Sequence, residues 1–121
     1  MNTAELANVG IKLLTVIVKR GKGDRVVEYL DRECNIPFTE VCMGKGTASS
    51  TFLDILGLGG IEKDIVFSAV RADKTDEILN GLAEKFKLNQ PGKGLAFTVR
   101  INSIGGTELL SRFLKEREEN R

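Results

Sequence analysis

Read for its alternation of apolar and polar positions, the chain spells strand, helix, strand, and then spells it again. Residues 12 to 19, Lys-Leu-Leu-Thr-Val-Ile-Val-Lys, are an apolar, β-branched run closed by charges, which predicts a central strand. Gly21-Lys22-Gly23 ends it. Asp24 is placed to cap a helix in which Val26, Val27, Leu30 and Cys34 recur at helical spacing while Arg25, Glu28, Asp31 and Arg32 face water. Asn35-Ile36-Pro37 breaks that helix, because proline disfavours helical geometry in the residue before it. Phe38 to Met43 is a short β-compatible alternation and supplies the second strand.

The second round starts after a long connection. Ile65 to Val70 is the third strand, Asp73 or Thr75 caps a helix from about Asp76 to Phe86, and Ile78, Leu79, Leu82 and Phe86 form its buried stripe. Asn89-Gln90-Pro91-Gly92-Lys93-Gly94 is a turn cluster, and Leu95 to Ile101 is the fourth strand. Moving the sequence by 52 positions (Val70 minus Val18) sets Val18-Lys19-Arg20 on Val70-Arg71-Ala72 and Asp24-Arg25-Val26-Val27 on Asp76-Glu77-Ile78-Leu79, with apolar, basic and acidic classes agreeing at many positions. Each copy runs on to a Gly-Lys-Gly, at residues 44–46 and 92–94. The order βαββαβ is that of a ferredoxin-like α+β sandwich with both helices on one face of a four-stranded antiparallel sheet.

An extra terminal helix, about 107 to 118, is expected to open at Thr107 and to bury Leu109, Leu110, Phe113 and Leu114. In the first strand Leu13, Thr15 and Ile17 point one way and Leu14, Val16 and Val18 the other, so both faces of the sheet are largely apolar. The face without helices needs a second cover, and another copy of the chain is the expected one.

Composition narrows the class. The 121 residues fit a single domain, 1–121, with its core at about 12–101. With 18 basic and 17 acidic side chains the formal charge is +1, so no global field draws the chain to nucleic acid or to an anionic membrane. The start Met1-Asn2-Thr3-Ala4-Glu5-Leu6-Ala7 lacks the basic opening of a secretory signal, and a cytoplasmic location is expected. The chain has no histidine, which excludes serine-histidine and cysteine-histidine dyads and weighs against a zinc site at Cys34 and Cys42. The two cysteines read as small buried hydrophobes, one ending a helix and one in a strand.

Candidate chemistry lies in the two glycine turns and in the connection between the halves. Glycines let backbone amides approach a ligand, consecutive amides form anion-binding nests, and Lys45, Lys63 and Lys93 add cationic charge, so a phosphorylated small molecule is the expected guest. The bland alternative is a pair of turns that need positive φ, with lysines for solubility. Residues 44 to 63 carry Phe52, Leu53, Ile55, Leu56, Leu58 and Ile61 among glycines and small hydroxyl residues, and connections of such length are commonly functional. Gly44-Lys45-Gly46-Thr47 fails as a phosphate loop of the Walker type, since Thr39 holds the leading glycine's place and Gly46 the hydroxyl's. Asp54, Glu62 and Asp64 are the acids near this connection; read as ordinary solvated carboxylates, they make no paired acid-base site, and no enzyme is expected.

Glu40-Val41, Gly44 and Gly46 after the second strand, Lys63 closing the connection, Asp76-Glu77-Ile78 opening the second helix, and Gly92-Lys93-Gly94 followed by Phe97 together carry a family likeness. Over roughly residues 12 to 101 the chain resembles the PII signalling superfamily, the trimeric nitrogen-regulatory proteins. The resemblance implies a homotrimer whose sheets line a central core. It also implies a ligand in each cleft between the base of one subunit's long T-loop (Gly44, Lys45, Gly46, Thr47, Lys63) and the B-loop of the next (Gly92, Lys93, Gly94). An adenine nucleotide as effector, signalling through the 44–63 loop, and a regulated partner such as a membrane transporter or an enzyme are further implications. The chain departs from the family where Thr47 and Ala48 replace an arginine and a glutamine, Leu95 replaces a lysine, and Asn102-Ser103-Ile104-Gly105-Gly106 stands in place of a C-terminal basic pair. The loop is shorter and lacks tyrosine, the chain's one Tyr being Tyr29 in a helix, so tyrosyl nucleotidylation is not expected. Each charge-assisted hydrogen bond lost is worth roughly 1.5 to 3 kcal/mol, which points to a different or weaker effector. The alternative reading is a CutA-like trimer, structural or metal-associated, without nucleotide binding. An enzyme on the same superfold is a third, since fold does not fix function.

Overall fold

The computed structural model describes residues 10–36, 39–45, 62–102 and 105. The elements run β1 (Ile11–Lys19), α1 (Gly23–Arg32), β2 (Thr39–Lys45), β3 (Glu62–Arg71), a short 3-10 turn (Ala72–Lys74), α2 (Thr75–Lys85) and β4 (Leu95–Arg100). The strands form one sheet in the order β2-β3-β1-β4, antiparallel throughout. This is the expected ferredoxin-like α+β arrangement. The expected terminal helix at 107–118 lies outside the described residues, as do Gly46, Thr47 and the rest of 46–61. Among the described residues no helix is long and apolar enough to cross a membrane.

Strand alternation divides the sheet into two faces. Leu14, Val16 and Val18 of β1 and Val66 and Val70 of β3 meet Val26 and Leu30 of α1 and Ile78 and Leu82 of α2, and these residues are the buried core. Both helices therefore cover one face. The edge-to-face pair Tyr29–Phe86, with ring centroids 5.7 Å apart, ties α1 to the end of α2. Leu79 and Phe86, expected in the buried stripe, pack at its margin and are only partly covered.

The internal repeat holds further than residue classes suggest. Adding 52 to the bounds of β1 gives 63–71, inside β3, and adding it to α1 gives 75–84, inside α2. It also carries Asn35 onto Lys87, the only two non-glycine residues with positive φ among the described residues (59° and 57°). In both copies the next amide turns back into the helix: Ile36 N–H donates to the Leu30 carbonyl (2.8 Å) and Leu88 N–H to the Ala83 carbonyl (3.0 Å). Helix termination is thus a left-handed cap with an apolar residue behind it, a device that stands without the proline invoked from the sequence.

Two other expectations fail at the helix starts. Asp24 is not the N-cap of α1; Lys22 holds that place, without a side-chain bond, and Asp24 lies in the first turn. In α2 neither Asp73 nor Thr75 caps the helix: Thr75 is its first residue and its hydroxyl donates to the Arg71 carbonyl at 3.3 Å. The third strand starts at Glu62 rather than Ile65 and the second runs on to Lys45, because Glu62, Lys63 and Asp64 pair with Lys45, Gly44 and Met43. Ladder hydrogen bonds belong to the backbone, so charged side chains do not end a strand whose neighbour continues.

Candidate functional site

The sequence singles out Gly44, Lys45, Gly46, Thr47, Lys63, Gly92, Lys93 and Gly94. Gly44 and Lys63 are brought together, facing each other across the β2–β3 ladder, with Lys19 on the other flank of Lys63. Lys63 is buried, at 5% exposure, and not a solvated charge. Lys45 pairs with Glu62 at the last rung, whereas Gly46 and Thr47 fall outside the described residues. Gly92, Lys93 and Gly94 precede β4. Gly44 and Lys45, expected in a turn, are the last residues of β2, so they and the turn that leads into Leu95 of β4 sit at one end of the sheet but on opposite edge strands. Three strand spacings separate those edges, roughly 14 Å. One protomer does not bring the two turns to a common ligand.

The second turn's glycines have structural reasons. Gly92 and Gly94 adopt φ of 80° and 139°, values that disfavour any side chain. A Cβ on Gly94 would lie 2.7 Å from the Ile17 carbonyl oxygen, so β4 can approach β1 there only on glycine. Gly44 has no such backbone reason: a Cβ there would meet Ile65 Cδ1 at 2.7 Å, the movable end of a side chain, and backbone only at 3.9 Å. Leu95 faces Ile17 across the β1–β4 ladder and extends the sheet face opposite the helices.

The base of the 44–63 connection is held by a group that sequence reading undervalued. Asp64, expected as a solvated acid, is 6% exposed. Its Oδ2 accepts the backbone N–H groups of Gly21 (2.8 Å) and Gly23 (2.9 Å). A carboxylate from β3 thereby serves the first orphan donor of α1, where the helix dipole favours negative charge. Arg20 completes the clamp. Its Nε lies 3.4 Å from Asp64 Oδ1, and its guanidinium donates to the Gly44 carbonyl (2.9 Å) and the Lys63 carbonyl (3.4 Å). Gly23 is required beneath it, since a Cβ would come within 2.9 Å of the Asp64 carboxylate and 3.1 Å of Val41 Cγ1. The signal in the sequence was the Arg20-Gly21-Lys22-Gly23 turn, in which the amides of Gly21 and Gly23 find their acceptor in Asp64 while that of Lys22 bonds the Lys19 carbonyl.

The face opposite the helices carries Leu13, Thr15 and Ile17 of β1, with Ile65, Phe67 and Ala69 paired to them from β3 and Leu95, Phe97 and Val99 from β4. Among the described residues neither helix lies on it, and Phe97 and Val99 are 37% and 48% exposed. Cys42 belongs to this face, opposite Ile65, and is exposed rather than the buried hydrophobe expected, because it sits on the edge strand away from the core. Cys34 is partly buried and free. Burial pushes its thiol up from the usual range, a shift opposed by the hydrogen bond that the Tyr29 hydroxyl donates to it, and burial raises Tyr29 as well. Among the described residues no three His, Cys, Asp or Glu side chains group as a metal ion would require.

Comparison of the sequence with protein-family models and with curated proteins finds no match. Comparison of the fold with solved structures does: the chain is similar to the PII protein of Arabidopsis thaliana, whose crystal structure is bound to citrate, with a TM-score of 0.57 over 79% of each chain and 16% sequence identity. At that identity the likeness shows the fold, which is PII-like and divergent.

Proposed function

We propose that this chain is a PII-like regulator in which a small anionic effector binds between copies of the chain and the 44–63 connection reports occupancy to a partner protein. The observation that carries the reading is the placement of the two lysine-bearing glycine turns on opposite edges of one sheet end. Such turns complete a site only when the β4 edge of one copy meets the β2 edge of the next, a head-to-tail contact that closes into a ring. The apolar face opposite the helices supports the same association, with three copies as the expected number. In this reading Gly44, Lys45, Gly46, Thr47 and Lys63 face Gly92, Lys93 and Gly94 of a neighbour, and no bond is made or broken. The similar Arabidopsis protein is bound to citrate, a multiply charged small anion. Leu95 faces Ile17 where the family carries a lysine, so phosphate neutralisation rests on Lys45, Lys63 and Lys93, and an adenine nucleotide is expected to bind weakly. The Arg20–Asp64 clamp joins the connection's base to α1 and offers a route by which occupancy biases the loop.

Light scattering with calorimetry against ATP, ADP, AMP, cyclic nucleotides and citrate tests the reading. A trimer that binds one of these and loses it on Lys93→Ala is expected. A monomer would overturn it, and a trimer binding none would favour the CutA-like alternative.

A further inference from the structure

The net charge of +1 hides a strong local imbalance. A groove of about 960 Å³ runs beside α1 to the C-terminal end of α2 and the turn ahead of β4. Lys22, Arg25, Arg32, Lys85, Lys87 and Lys93 line it, against only Glu28 and Glu33. Six of the chain's 18 basic residues therefore share one depression with two of its 17 acids. Glu28 is engaged by Arg32 at 3.2 Å. Among the described residues, none of the five lysines and arginines other than Arg32 is in an ion pair.

Stability does not explain this arrangement at α1. Lys22 is the N-cap residue and Arg25 lies in the first turn, where cations oppose the helix dipole. Lys85, at the C-terminal end of α2, is where a cation is favourable, and its neighbour Lys87 ends the helix in the left-handed conformation. Beneath the charges the floor is apolar, formed by Val18 and the Tyr29–Phe86 edge-to-face pair. Cations on both sides of an apolar floor are the chemistry of a site for a molecule with several negative charges and a carbon body.

We propose that this groove binds a small molecule bearing two or more phosphoryl groups, and that it does so within a single protomer. Its volume falls within the range of small-molecule sites, roughly 300 to 1,000 Å³. Lys22, Arg25 and Arg32 reach it from α1, Lys85 and Lys87 from the end of α2, and Lys93 from the turn before β4, so the phosphates are held from several elements. A nucleic-acid surface would show in the overall charge, which is balanced. The proposal goes beyond the effector site between copies. Only Lys93 is common to both, and the groove needs no second copy.

Titration of the full-length, isotope-labelled chain with inorganic tripolyphosphate and with ATP at low salt, followed by NMR, tests it. Amide shifts are expected to concentrate at 22–33 and 85–88, with affinity falling as salt rises. The double variants Lys22→Gln/Arg25→Gln and Lys85→Gln/Lys87→Gln should each weaken tripolyphosphate binding by about tenfold or more, while Lys74→Gln does not. Unchanged melting of these variants guards against a folding artefact. Absence of binding to either probe at millimolar concentration overturns the proposal. Shifts confined to 44–46 and 92–94 also overturn it, leaving the site between copies standing. Displacement of tripolyphosphate by an oligoglutamate peptide of equal charge at the same concentration would reassign the groove to an acidic protein segment. Groove shifts in a sample without any inter-copy binding would leave this proposal standing and remove the other.

Discussion

The two crossover turns of this molecule descend from corresponding places in its repeat, yet they are closed in opposite ways. After β3 the closure is local: Arg71 donates to both oxygens of Asp73, at 3.1 and 3.0 Å, and the Thr75 hydroxyl donates back to the Arg71 carbonyl. After β1 the corresponding stretch is Lys19-Arg20-Gly21-Lys22-Gly23; Lys22 N–H donates locally to the Lys19 carbonyl, but the amides of Gly21 and Gly23 are served by Asp64, more than 40 residues further along the chain. The second turn's side chains close it locally, and only its Ala72 N–H reaches a distant acceptor, the Gly10 carbonyl at 3.1 Å. The first is complete only once β3 lies beside β1. A helix start that depends on a distant carboxylate is mechanically joined to that carboxylate's strand, and here that strand begins at the base of the 44–63 connection.

Removing the distant partner should therefore cost most. Asp64→Ala deletes an acceptor of two buried or partly buried amides and the partner of Arg20, and a loss of about 3 kcal/mol in denaturant unfolding is expected, with Asp64→Asn losing about half as much. An Asp64→Ala protein as stable as the parent would break the comparison. Gly23→Ala should cost about 2 kcal/mol by forcing a methyl group against Asp64 and Val41, whereas Thr75→Ala at the matching position should cost about 0.5 kcal/mol. Equal losses at the two positions would show that the turns are closed alike. Arg20→Met should cost about 1 kcal/mol globally and speed hydrogen exchange at the β2–β3 rungs near Gly44 and Lys63; unaltered exchange there would remove the clamp's role.

The smallest effect belongs to the local turn. Arg71 holds the Asp73 carboxyl below its ordinary value, chiefly through their hydrogen bonds. A depressed folded-state pKa means stability that is present above the unfolded value near 4 and is lost as pH falls through the folded one. Because the pair is largely exposed, the contribution should be no more than about 0.3 kcal/mol. An Asp73→Asn protein less stable than the parent by more than this at neutral pH, with the difference shrinking below pH 4, would show that the local turn, too, carries stability of its own.

Much of this architecture was legible in the residues. Apolar, β-branched runs and one short alternation marked four strands, helical spacing marked Val26, Leu30, Ile78 and Leu82 as core, and the 52-residue offset announced two like halves. The turn at Gly92-Lys93-Gly94 was legible as a turn, and the structure supplies the reason for Gly94 in the Ile17 carbonyl that it approaches, whereas Gly44 and Lys45, read as a turn, belong to β2. Less was legible where partners lie far apart in the chain. Asp64 looked like a surface acid between an apolar strand and a polar loop, because nothing local revealed the amides of Gly21 and Gly23. Cys42 looked buried because its strand alternates, but alternation cannot tell an edge strand from a central one. The cationic groove escaped notice because its members come from three separate stretches, each unremarkable in its own run of charges.

Local chemistry decided the elements of this chain: side-chain periodicity, the turn glycines and the twofold repetition act over a few residues and need no neighbour to be read. Strand order, the caging of Asp64, the separation of the two Gly-Lys-Gly turns onto opposite edges and the gathering of six cations into one groove were decided only by tertiary structure. Each depends on which backbone donors and charges meet across dozens of residues, and that is settled by how the sheet pairs.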